Sequence, residues 1–170
     1  MIKRLPRFFD IVSVYAVIAS MLFAWSTLLF FWYLSSWMFF MNLNDLIAVF
    51  SYVMASSFIE SLAFLLFLLF LSFCLPPKYL RDEFVSRGTS ITLCVIGLIM
   101  LYSRNTFGIS ISLFGGMLVL VTVLVTFLSA KIRLMRQALI WLSDRLIVFL
   151  YILIPLSILS LLVIIVRNII

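Results

Sequence analysis

Five long apolar runs, separated by short polar stretches, constrain this chain more than any other feature. They cover residues 11–41, 46–75, 84–102, 107–130 and 146–166. An α-helix needs about 20 residues to cross a hydrocarbon core of about 30 Å, and each run approaches or exceeds that length. Hydrophobic residues make up 66% of the 170, against roughly 45–50% in soluble domains, so no water-soluble domain fits between the runs. The expected fold is all-α: a polytopic integral membrane helical protein with about five transmembrane helices in one domain, 1–170. The plasma (inner) membrane is the expected location.

The first run follows Lys3, Arg4 and Arg7. It is about twice as long as the 7–15-residue core of a secretory signal, so it reads as an uncleaved span. Its length of about 31 residues is roughly 46 Å of helix, more than the bilayer core needs. The first span is therefore expected over 11–32, with the aromatic residues beyond Trp32 lying in the interface. The second, 46–75, stops at Pro76-Pro77, which cannot donate backbone hydrogen bonds. The third is expected over 84–102; a start at Thr89 would leave about 14 residues and a re-entrant segment instead.

Within the fourth run, 107–130, Gly108, Ser112 and Gly116 recur every four residues. Such a small-residue stripe lets another helix approach closely, either inside the chain or by self-association. Residues 131–145 form an amphipathic pattern, with Ile132, Met135, Leu139 and Leu142 on one side and Arg133, Arg136, Gln137 and Asp144 on the other. A cytoplasmic-side interfacial helix is expected here, with Lys131, Arg133 and Arg136 against anionic lipid. A docking surface for a soluble partner is the second reading. The last span, 146–166, carries Pro155, from which a kink is expected.

Orientation follows from the cations. Placing Lys3, Arg4 and Arg7 in the cytoplasm and alternating through five spans also puts Lys78, Arg81, Arg87, Lys131, Arg133, Arg136 and Arg145 there. Ten of the 12 Lys and Arg residues are then inside, leaving Arg104 and Arg167 outside. That positive-inside bias predicts a topology with the N-terminus in and the C-terminus out.

The second run contains a carboxylate, Glu60, close to its midpoint. A charged group at that depth costs on the order of 3 kcal/mol on insertion scales and is a candidate site by default. Tyr52, Ser56 and Glu60 are spaced four apart, with Ser57 and Ser61 beside them, so a polar stripe facing protein is expected. Ser26, Thr27, Thr92 and Ser157 are expected at a similar depth, and none is a cation. In one reading Glu60 binds and releases a proton or cation during transport. In the other it ties helices together through hydroxyls or pairs with a cation of another subunit.

The residues that are missing narrow the chemistry further. With His 0 and Cys 2, the chain offers no imidazole base, no haem histidine and too few thiolates for an iron–sulfur cluster or structural zinc. No cofactor or metal is expected, and both thiols should be free. An intramembrane aspartyl protease needs two deep carboxylates, and Lys78 or Lys131 near Ser72, Ser86 or Ser129 is only a weak Ser–Lys candidate. The net charge of +6 is distributed beside apolar runs, as topology signals are, and no nucleic-acid platform accompanies it. The expected function is a non-catalytic integral membrane subunit acting as a scaffold, assembly or accessory component, with other membrane subunits or a second copy as partner. The alternative is a small transporter or channel component using Glu60 as an intramembrane ion site.

Overall fold

A computed structural model describes residues 6–75, 83–103 and 110–169, the side chain of Ala130 excepted. Within them five helices follow in order: α1 (Phe8–Trp37), α2 (Leu43–Cys74), α3 (Phe84–Ser103), α4 (Ile111–Lys131) and α5 (Arg133–Ile169). All five are long and apolar enough to cross a membrane. Lys3, Arg4, Pro76, Pro77, Lys78, Arg81, Asp82, Arg104 and Gly108 lie outside the described residues.

Short connections set the packing order. Residues 38–42 reverse the chain, and the extended Asn42 (φ −77°, ψ 161°) opens α2. Its carbonyl accepts the backbone N–H of Leu46 at 3.0 Å. Asp45 in the first turn then places negative charge at the positive end of the helix dipole. Between α4 and α5 a single extended residue, Ile132 (φ −96°, ψ 110°), interrupts the helical hydrogen bonding.

The central helix is α1, because its small and β-branched residues let neighbours close in from several sides. Val14, Ala16, Val17 and Ile18 are fully buried. On one side Val14 and Ile18 pack with Leu68 of α2 and Phe84 and Ile96 of α3. On the other, Ala16, Ala19 and Phe23 meet Met54 of α2 and Leu150 of α5. The α1–α3 crossing depends on Gly88: a Cβ there would stand 3.2 Å from Val14 Cγ2. By contrast α4 is peripheral, and of its described side chains only Ser129 is buried. It packs mainly against α3, where the rings of Tyr102 and Phe114 stack at 4.1 Å.

Two ion pairs show how the helix ends alternate. Arg136 reaches Glu83 at 2.7 Å, joining the start of α5 to the start of α3. Arg167 reaches Asp45 at 3.1 Å, joining the end of α5 to the start of α2. Both contacts fit a bundle in which successive helices run in opposite directions.

Two boundaries differ from the sequence expectation, and the start of α3 agrees with it. Helix α1 continues through the aromatic cluster to Trp37 instead of ending near Trp32, since aromatic side chains do not break a helix. Helix α3 starts at Phe84 and has 20 residues, so the short start at Thr89 is not adopted. Most notably, residues 133–145 are not a separate element: they and the last apolar run form one helix of 37 residues, about 55 Å long. Pro155 lies inside it without ending it, leaving the carbonyl of Tyr151 without its usual partner.

Candidate functional site

The polar residues in the middle of α2 divide between two sides of the helix. Successive residues turn about 100°, so Ser57 and Ser61 sit well round from Ser56 and Glu60. Ser57 and Ser61 are fully buried. Ser57 Oγ is hydrogen-bonded to Ser26 Oγ of α1 at 2.7 Å and also lies 2.8 Å from the carbonyl of Val53. Ser61 donates to the carbonyl of Phe58 at 2.8 Å, which leaves it to accept from the hydroxyl of Tyr15, 3.3 Å away on α1. These two contacts join α1 and α2 by side-chain hydrogen bonds deep in the hairpin.

Tyr52, Ser56 and Glu60 face outward. Tyr52 is 46% exposed, and Ser56 and Glu60 are also exposed. Around them the surface is apolar, with Ile59, Leu66 and Phe67 exposed. Among the described residues Glu60 makes no hydrogen bond or ion pair. The expectation of one stripe facing protein is therefore not met within this chain. The buried side of α2 is the Ser57–Ser61 side, and a four-residue spacing identifies a face without saying which way it turns.

The depth-matched hydroxyls meet other partners. Ser26 lies at the expected level but bonds to Ser57. Thr92 donates to the carbonyl of Gly88 at 2.8 Å, and Ser157 to that of Leu153 at 2.7 Å. Such back-bonding satisfies a buried hydroxyl inside its own helix. Thr27 is half-buried on α1.

The other candidates separate in the same way. On α4, Ser112 is exposed and a Cβ at Gly116 would meet nothing within 4 Å, while Gly108 lies outside the described residues. The described part of the small-residue stripe, Ser112 and Gly116, is thus exposed, and α4 meets α3 through the side carrying Phe114. Lys131 and Arg133 are exposed, whereas Arg136 is engaged by Glu83, to which Arg87 also reaches at 3.5 Å. Part of the basic segment therefore holds α3 and α5 together. On residues 132–145 the pattern is met in part: Met135, Leu139 and Leu142 are half-buried, but so is Arg136, expected on the other side, while Ile132 is exposed. Cys74 and Cys94 are both free.

Sequence reasoning missed the Tyr15–Ser61, Glu83–Arg136 and Asp45–Arg167 contacts. The one sequence signal that could have pointed to any of these groups is the i,i+4 spacing of Glu83 and Arg87. An apolar groove lined by Val12, Leu150, Tyr151 and Pro155 lies between α1 and α5, and a more polar one surrounds Asp45 and Arg167; neither includes Glu60. Chemically, the outward side of α2 presents a carboxyl and two hydroxyls along about 12 Å of helix. It is an exposed side of a helix, not an enclosed cavity. No family model, curated protein or solved structure matches the chain, so geometry alone carries its functional reading.

Proposed function

We propose that this chain is a multi-pass membrane protein with its N-terminus inside and its C-terminus outside. Its proposed role is a non-catalytic subunit: a scaffold, assembly or accessory component of a larger membrane complex. The observation that carries this reading is the outward-facing Glu60. It stands 17 residues from Leu43 and 14 from Cys74, the ends of α2, or about 26 and 21 Å along the axis. With α2 centred on a hydrocarbon core of about 30 Å, Glu60 lies near the middle of that core, beyond the reach of its side chain to either headgroup layer. Left against lipid, the carboxyl would cost on the order of 3 kcal/mol, and a neighbouring protein that supplies polar contacts removes much of that cost.

Supporting features are the apolar exposed side of α4 with its open Gly116, and the basic first turns of α5. Each offers contact area without reactive groups. Extraction in a gentle detergent followed by mass measurement of the native particle tests the reading. The expected result is co-purification with chains of different mass, and an isolated monomer at every detergent concentration would sink it.

A further inference from the structure

We propose that the outward face of α2 docks a transmembrane helix of a different chain carrying a Lys or Arg at mid-depth, with Glu60 as its counter-ion. This inference rests on the subunit reading above and names the chemistry of the partner. Charge complementarity selects it. A carboxylate held in hydrocarbon is stabilised most by a cation that is itself costly to leave there, since pairing relieves both desolvated groups at once.

Among the described residues, a second copy of this chain does not supply that cation at mid-depth. The described cations Arg7, Arg87, Lys131, Arg133, Arg136 and Arg167 lie at or near the ends of helices, and Arg145 lies in the first third of α5. Two copies in the same orientation would bring Glu60 to the depth of Glu60, not to a cation. The surroundings also suit an approaching helix. Ser56 and Ala63 are both exposed and small, flanking Glu60 on the same side of α2, and small residues let a second backbone come close. Ser56 donates its proton to the carbonyl of Val53 at 3.0 Å, so its oxygen remains an acceptor for an ammonium or guanidinium. Tyr52 sits two turns from Glu60 on the same face and extends the polar seam.

The test uses the full chain co-expressed with a tagged single-span Leu/Ala helix carrying Lys at its centre. A probe with Leu there and one with Glu serve as comparisons. The Lys probe is expected to retain at least about tenfold more of the full chain than the Leu probe, the factor that corresponds to about 1.4 kcal/mol. Glu60→Gln should abolish that excess, and Glu60→Lys should transfer it to the Glu probe. An unchanged thermal unfolding midpoint for Glu60→Gln shows that the fold is intact, which its exposed position favours. Equal retention of the Lys and Leu probes, an excess that survives Glu60→Gln, or stronger capture of the Glu probe by the unaltered chain each overturns the inference. The subunit reading fails separately. A native monomer refutes it, whereas a native hetero-complex unaffected by Glu60→Gln refutes only the charge pairing.

Discussion

Ser57 of α2 and Ser26 of α1 are hydrogen-bonded at 2.7 Å in the interior of the helix hairpin. Three residues further along α2, Glu60 points away from the chain. The Ser26 hydroxyl, expected at the level of the carboxyl, is thus committed to holding α1 against α2, and the carboxyl stays exposed on α2.

The pair predicts a small, non-additive effect on stability. Ser57→Ala and Ser26→Ala should each destabilise the folded bundle by about 0.6 kcal/mol, typical of interhelical hydrogen bonds in membrane proteins. The double variant should cost less than the two singles together, because both remove the same bond. Reversible unfolding in bicelles measures this, and strict additivity would show that the two hydroxyls do not interact.

Gly88 makes a stronger prediction. A Cβ placed 3.2 Å from Val14 Cγ2 requires the fully buried Val14 side chain to give way by a few tenths of an ångström, so Gly88→Ala should cost about 1 kcal/mol, the low end of the overpacking range. Val14→Ala in the same chain should recover part of the loss by making room. If Gly88→Ala is as stable as the parent, the crossing of α1 and α3 is looser than described.

Just before the start of α3, Glu83 lies between two guanidiniums, with Arg136 at 2.7 Å and Arg87 at 3.5 Å. Glu83→Gln removes the attraction and leaves two like charges facing each other. Both partners of the shorter pair are partly solvated, so the expected loss is about 1 kcal/mol or less, and it should shrink as salt is raised. A loss that is independent of salt would point to packing as the cause.

Topology is accessible to labelling. In a chain freed of Cys74 and Cys94, a cysteine replacing Arg167 should react with an impermeant thiol reagent in intact cells. One replacing Arg133 should react only after permeabilisation. The reverse pattern would invert the orientation drawn from the cations, and labelling of both sites from outside would break the five-crossing arrangement.

The five apolar runs, their order and most of their limits were legible in the sequence, because length and hydrophobicity are properties of a segment by itself. The amphipathic segment was legible in part: Met135, Leu139 and Leu142 share a half-buried side, but Arg136 joins them and Ile132 does not. Its joining to the last run was not, since a change from mixed to apolar composition does not require a break in the backbone hydrogen bonding. The hydroxyl level was also nearly right: matching depths brought Ser26 to the middle of α2, but to Glu60 instead of Ser57.

The rotation of each helix about its own axis was decided by the tertiary structure alone. In a water-soluble bundle an apolar stripe marks the buried side, yet α2 and α4 are apolar nearly all round. Lipid tails are as apolar as leucine, so hydrophobicity does not distinguish facing a neighbour from facing outward. Van der Waals fit decides instead: Gly88 against Val14, Met54 against Ala16 and Ala19, Tyr102 against Phe114. Those contacts turned Ser57 and Ser61 inward and left Glu60 outside. The sequence by itself determined that a carboxyl lies halfway along an apolar helix; only the packing of side chains from distant parts of the chain decided which way it faces.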